Sequence, residues 1–203
     1  MMFILGLTGG IAVGKTTATN FFQKKGIEVI DADEISRSLQ EKGEQGYVEI
    51  IKAFGETILD KDFNLDRVKL RALAFKDNNK KALEEIMHPL IGQKTLKAFK
   101  KVKSKWAIYS APLWSERNTF DRVLVIDAPR HKQIERVIKR DNSDPKLIEK
   151  IISAQISKHE RISYCDDLII NDGSINLFRA RLDFYFEMYN KKYEQKNLLL
   201  DLT

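Results

Sequence analysis

The chain has 203 residues, 43% of them hydrophobic, and a formal net charge of +6. That length buries a full core, expected here as one α/β domain with insertions or with a small subdomain, and no apolar run is long enough to span a bilayer. The single cysteine, Cys165, excludes an intramolecular disulfide and any C-x-x-C metal or redox site, which points to a reducing, cytoplasmic setting; it reads as a small buried hydrophobe.

In chain order, Phe3-Ile4-Leu5-Gly6-Leu7 is expected to be a buried strand with no basic segment ahead of it, as in an unexported, soluble protein. The stretch Gly9-Gly10-Ile11-Ala12-Val13-Gly14-Lys15-Thr16 then matches the phosphate-binding pattern G-x-x-x-x-G-K-[ST]. Lys15 to Lys25 reads as a helix with Phe21 and Phe22 inward. Strand, loop and helix in that order bring successive backbone N–H groups and a helix N-terminus onto one anion, and the glycines admit it closely. On that chemistry the loop from Gly9 through Thr17 holds a nucleoside triphosphate. Lys15 reaches its β- and γ-phosphates, and the Thr16 hydroxyl ligates Mg²⁺.

A second short strand, Glu28-Val29-Ile30-Asp31, leads into Ala32-Asp33. From residue 34 to residue 103 apolar residues recur at three- and four-residue intervals, as in Val48, Ile51, Phe54 and in Leu70, Leu73, Ala74, which predicts an all-helical insertion. Strand patterns return at Trp106-Ala107-Ile108-Tyr109-Ser110, Val123-Leu124-Val125-Ile126-Asp127 and Leu168-Ile169-Ile170-Asn171. Five near-continuously apolar strands alternating with helices make the fold class α/β, a five-stranded parallel sheet covered on both faces. Ligands on such sheets sit at the carboxyl ends of the strands, so the phosphate loop and Asp33 are expected to face one crevice.

The expected organisation is a nucleotide-binding core over residues 1–33 and 104–203, a helical acceptor-binding insertion over 34–103, and a lid over 136–161 within the core. Asp144-Pro145 marks a helix start inside that lid. Residues 175–196 read as a long amphipathic helix with Leu177, Leu182, Phe184, Phe186 and Tyr189 in the core.

The positive charge suits either a nucleic-acid surface or a site for heavily phosphorylated small molecules. Lys94 through Lys103 alternates basic and apolar residues at helical spacing and reads as the solvated face of a helix; no aromatic RNP pair or G-x-x-G clamp is found. A phosphate cradle by itself suits a switch GTPase, a motor ATPase or a small-molecule kinase. The guanine-binding N-K-x-D and the switch D-x-x-G are not in suitable places, and the third strand ends in Ser110-Ala111-Pro112 without the acid that motor ATPases use to support Mg²⁺.

The available carboxylates are Asp31 and Asp33, and Asp33, further into the crevice, is the better placed as general base for a substrate hydroxyl. The plain alternative is that Asp33 caps a helix beginning at Glu34. Arg136 and Arg140 are four apart on a predicted helix and project from one face, and with Arg161 they are candidate guanidinium clamps for a transferring phosphoryl group. Solvated surface arginines are the alternative for each. His88, in His88-Pro89 at the end of a helix, has no second His or Cys at metal-ligand spacing, so no metal beyond Mg²⁺ is expected.

These motifs together resemble the dephospho-coenzyme A kinase family over nearly the whole chain. The matching elements are Gly6-Leu7-Thr8-Gly9-Gly10-Ile11 with Gly14-Lys15-Thr16, Val29-Ile30-Asp31-Ala32-Asp33, and Leu83-Glu84 through His88-Pro89-Leu90-Ile91. Further along they are Ala111-Pro112-Leu113 with Glu116, then Arg136, Arg140, Gln155, Arg161, and Asn171 before Gly173. The resemblance implies an adenylate-kinase-like fold and transfer of the γ-phosphoryl group of ATP, with Mg²⁺, to the ribose 3′-hydroxyl of dephospho-coenzyme A. It implies Asp33 as base, Lys15 and Arg140 as further catalytic groups, and Arg136 and Arg140 on the nucleotide. It also implies Asp33, His88, Pro112, Leu113 and Arg161 on the acceptor. The expected partners are those two substrates, with no nucleic acid and no membrane, in a monomer or weak homo-oligomer.

The chain departs from the family pattern at three places: Ala12-Val13 where Gly-Ser is usual, Trp114-Ser115 where Leu-Phe is common, and Cys165 where a small Ala is frequent. Two alternatives stand beside this reading. One is a nucleoside or nucleotide kinase of the same fold, against which the D-A-D and H-P-L-I elements count. The other is a basic RNA-associated NTPase, whose RNA affinity would fall steeply with salt.

Overall fold

The computed structural model describes residues 2–74, 79–111 and 120–200. The chain divides into two compact units, Met1–Val29 with Val102–Thr203, and Ile30–Lys101.

The first unit is built on strands β1 (Phe3–Gly9), β3 (Trp106–Ser110), β4 (Arg122–Asp127) and β5 (Asp167–Ile170); β2 (Glu28–Asp31) completes the sheet in the order β2-β3-β1-β4-β5. Strand β1 lies centrally and pairs in parallel with β3 and β4, and β4 pairs in parallel with β5. A central parallel strand is covered on both faces, which is why Leu5 and Leu7 are fully buried and why the sequence shows a continuous apolar run. Helix α1 (Lys15–Lys24) follows the loop after β1. Its Phe22 meets Trp106 edge to face at 5.9 Å, and Trp106 meets Tyr189 in the same manner at 5.8 Å.

Tyr189 belongs to the last helix, α9 (Ile175–Leu200), which buries Phe178, Leu182 and Tyr189 at helical spacing. Leu177 and Phe184 do not join that core, against the sequence expectation. They are 45% and 66% exposed, because Leu177 lies about 100° around the helix from the buried Phe178 and Phe184 about 160° from the buried Leu182. At the amino ends of β4 and β5, Arg122 makes a two-pronged pair with Asp167, at 2.7 and 2.8 Å, and the Tyr189 hydroxyl donates to the same carboxylate at 3.0 Å. The hydrogen bond to Asp167 holds the Arg122 guanidinium above its ordinary range, and burial pushes the Tyr189 phenol up. This network closes the end of the sheet away from the phosphate loop. Cys165 is half-buried, and burial raises its thiol.

The second unit packs α2 (Ala32–Leu39), α3 (Gln45–Phe54), α4 (Arg67–Ala74) and α5 (Asn79–Phe99) around Leu39, Ile50, Ile58, Leu70 and Met87. A short 3₁₀ turn, Glu56–Ile58, and one isolated antiparallel bridge, Leu59 with Leu65, interrupt the helices. Val48 is half exposed while Ile50 takes the inward position. His88-Pro89 does not end a helix: α5 runs through it. Proline removes one backbone bond, but Met87 is buried and Leu83, Ile86, Leu90 and Ile91 pack on the core from both sides of it, so burial carries the helix across.

Candidate active site

The site begins with what Gly14 permits. Its φ of 108° is closed to most residues, and a Cβ there would stand 2.6 Å from Asn171 Nδ2. Gly14 then caps α1 with no side-chain hydrogen bond among the described residues, so the first N–H groups of the helix face outward with the positive end of its dipole. No acidic residue stands in that first turn.

The preceding peptides are held by their oxygens. Arg136, on α6 (Arg130–Asp141), donates from Nη1 to the Ala12 oxygen at 3.1 Å, and Asn171 Nδ2 donates to the Val13 oxygen at 2.8 Å. In a planar trans peptide the C=O and N–H point in opposite directions, so these two anchors turn the N–H groups of Val13 and Gly14 to the opposite side. A loop arranged so is an anion cradle. Ala12 pays for its place in the loop with a φ of 55°, a left-handed conformation costing about 1 kcal/mol for a residue with a Cβ. Val13 is fully buried in the core of the first unit.

On the other side of the loop, Gly10 is surrounded by polar tips: a Cβ there would meet Arg161 Nη1 and Gln155 Oε1 at 3.1 Å and Gln133 Nε2 at 3.4 Å. Gln155 follows α7 (Pro145–Ala154), and Arg161 lies on α8 (Lys158–Ser163). As the sequence predicts, α7 starts at Pro145 with Asp144 as its cap, accepting from the Leu147 N–H. Arg161 is buried, its Nη2 donating to the Ile156 oxygen at 3.0 Å, and burial lowers its guanidinium from the ordinary value against the opposing charge of Asp127. Asp127, buried at the end of β4, pairs with Lys158 at 2.6 Å. The apolar strand ending in an acid is therefore β4, next to β1, and the sequence run Val123-Leu124-Val125-Ile126-Asp127 carried that signal. Gln133 had none.

Lys15 and Thr16 open α1 beside the cradle, with Thr16 exposed. Arg136 and Arg140 share a helix but not a destination. Arg136 is drawn in to the Ala12 and Asn171 oxygens, whereas Arg140 is largely exposed and paired with Asp141 at 2.7 Å. That pair holds Arg140 above and Asp141 below their ordinary values.

In the second unit, α2 begins at Ala32, two residues earlier than a cap at Asp33 requires. Asp31 is its cap, accepting from the Asp33 and Glu34 N–H groups at 2.9 and 3.2 Å, which leaves the Asp33 carboxylate outside the capping role. His88 is exposed in the middle of α5. Pro112, Leu113, Trp114, Ser115 and Glu116 lie outside the described residues.

A central parallel strand that feeds a pinned glycine loop into a helix start with no side-chain cap among the described residues, with guanidinium groups around it, defines a nucleotide-binding unit of the P-loop kinase class. Comparison with known proteins is specific beyond that class. The family model described as dephospho-CoA kinase matches residues 3–176, and the chain belongs to that family. Dephospho-CoA kinases of Methylococcus capsulatus and Buchnera aphidicola are 36% and 38% identical to it. The alignments cover 93% and 98% of this chain and 98% of each relative. The solved dephospho-CoA kinase of Campylobacter jejuni superimposes with a TM-score of 0.70 at 26% identity, covering 95% of this chain and 99% of that one. The family expected from the sequence motifs is the one found.

Proposed function

We propose that this enzyme transfers the γ-phosphoryl group of ATP to the ribose 3′-hydroxyl of dephospho-coenzyme A, giving coenzyme A and ADP, the final step of coenzyme A synthesis. The observation that carries the reading is family membership over residues 3–176, joined to a phosphate loop whose oxygens are tied back by Arg136 and Asn171.

In this reading the loop from Gly9 through Thr17, by backbone N–H groups other than that of Ile11 and with Lys15, takes up the β- and γ-phosphates. Arg136 keeps the loop in shape, and Arg140 exchanges its exposed Asp141 partner for phosphate oxygens as charge spreads in the transition state. The 3′-hydroxyl oxygen bonds to the γ-phosphorus, the bond from that phosphorus to the β–γ bridging oxygen breaks, and the hydroxyl proton passes to the Asp33 carboxylate. Arg161, in a lid over 136–161, His88, in the insertion over 34–103, and Pro112 and Leu113, in the core over 104–203, are assigned to the acceptor.

Among the described residues no group of three His, Cys, Asp or Glu forms a metal cage. The residue that would hold Mg²⁺ is Thr16, whose exposed hydroxyl at the start of α1 is a hard oxygen donor of the kind that ion takes. Mg²⁺ bound there would neutralise phosphate charge. No helix among the described residues is long and apolar enough to cross a membrane. We place the reaction in the cytoplasm, where a thiol such as Cys165 stays reduced, in a monomer or weak homo-oligomer.

The test is ADP release, coupled to an absorbance readout, with dephospho-coenzyme A, adenosine, AMP and RNA offered in turn, alongside Lys15→Ala. Turnover with dephospho-coenzyme A alone, abolished in a Lys15→Ala protein of unchanged circular dichroism, is the expected result. Turnover with AMP instead, or an undiminished Lys15→Ala enzyme, would overturn the acceptor or the loop assignment respectively.

A further inference from the structure

Gln155 stands just past the end of α7, where an amide side chain has its own helix end and solvent within easy reach. Its Oε1 instead accepts the N–H of Ile11, 144 residues away, at 3.1 Å. The turn that carries it is fixed from behind. Arg161 Nη2 bonds the oxygen of the next residue, Ile156, and the Arg161 backbone N–H donates to the Ser157 oxygen at 2.9 Å. Arg161 is 6% exposed, with its Nε lacking a hydrogen-bond partner among the described residues. Three polar tips thus gather at the Gly10–Ile11 peptide, and a Cβ at residue 10 would crowd Arg161 Nη1 and Gln155 Oε1 at 3.1 Å.

We propose that Gln155 is a positioning residue for phosphoryl transfer, holding the Ile11 peptide in the orientation the loaded loop needs and acting through the backbone without touching the nucleotide. The proposal rests on the kinase reading above. Its chemistry follows from where the contact lies. A half-buried N–H needs an acceptor, and at this place the acceptor stands beside bound phosphates. A carboxylate would accept more strongly but would set a negative charge against them. An uncharged amide oxygen satisfies the N–H without that repulsion, and its length suits the reach from the end of α7.

Two variants separate the roles. Gln155→Leu removes the acceptor, and Gln155→Glu keeps it while adding the charge. Each is measured for hydrogen exchange at the Ile11 amide in the ligand-free protein, ADP affinity by calorimetry, and kcat and KM for ATP. Gln155→Leu is expected to speed Ile11 exchange and lower kcat by about tenfold each, with a smaller change in KM. Gln155→Glu is expected to keep Ile11 protected and the melting temperature unchanged while ADP affinity falls about tenfold, an effect that added salt reduces. Wild-type kcat in a folded Gln155→Leu enzyme, a rise in KM alone, or wild-type ADP affinity in Gln155→Glu would overturn the proposal. Should the wild type fail to phosphorylate dephospho-coenzyme A, the acceptor assignment falls, and the exchange and ADP measurements still decide the role of Gln155.

Discussion

Arg136 and Asn171 hold one another and the phosphate loop at once. Arg136 Nη2 donates to the Asn171 main-chain oxygen at 3.0 Å, while each side chain separately anchors a loop carbonyl, Arg136 that of Ala12 and Asn171 that of Val13. The left-handed Ala12 sits at the centre of this brace. Strain of that kind persists where the surroundings over-determine it, and here two anchors on consecutive residues do so.

Arg136→Lys is therefore expected to be far from conservative. A single ammonium does not reproduce the planar fork that reaches both oxygens, so the variant should lose about 1–3 kcal/mol of stability and bind ADP more weakly. Urea unfolding with and without ADP checks both effects. Unchanged stability would mean that the loop keeps its shape without this brace.

Asp31 and Asp33, two residues apart, should separate cleanly. Asp33→Asn is expected to reduce turnover by about 10²- to 10⁴-fold at saturating substrates and to leave stability nearly unchanged. Asp31→Ala should lose about 1 kcal/mol through the cap of α2, whereas Asp31→Asn, still a good cap, should retain both stability and turnover. Steady-state kinetics and denaturation of the three proteins decide it. Should Asp31→Asn prove the more damaging change to turnover, the base assignment moves to Asp31.

Phe63 adopts a φ of 61° while 59% exposed, and its oxygen accepts the Tyr47 hydroxyl at 2.6 Å. A left-handed backbone disfavours any residue with a Cβ, so Phe63→Gly is expected to be about 0.5–1 kcal/mol more stable than Phe63→Ala, both lacking the ring that Lys42 covers. Chemical denaturation of the pair measures this difference. Equal stabilities would place no strain at residue 63.

Glu28 gives the acid dependence a specific contributor. Its Oε2 accepts the backbone N–H groups of Lys103 and Ser104 at 2.5 and 2.7 Å, and the Ser104 bond, then the Lys103 bond, hold the carboxyl below its ordinary value of 4.5. A carboxyl depressed on folding contributes stability that is present above its unfolded value and is lost as pH falls through the folded one. The stability gap between the wild type and Glu28→Gln should accordingly be widest near neutral pH and close as the solution is acidified below about pH 4. Thermal melts across that range test it, and a gap independent of pH would rule Glu28 out.

The local chemistry of the chain already specified the strands, the glycine loop and the helix it opens. Glu28–Asp31 and Trp106–Ser110 form as strands at the residues expected, and the φ of 108° at Gly14 already calls for glycine before the close approach of Asn171 is counted. A pattern of that kind depends on neighbours in sequence, so it is legible there. What the tertiary structure decided is where side chains end. Helical spacing put Arg136 and Arg140 on one helix face, but only the packed fold draws Arg136 to Ala12 and leaves Arg140 with Asp141. Likewise it brought Phe178 into the core beside the expected Leu182 and left Leu177 and Phe184 exposed, since an amphipathic stripe fixes its width only against a partner surface. The bond from Ile11 to Gln155 joins residues 144 apart, and no local propensity encodes a contact between two segments brought together by the sheet order.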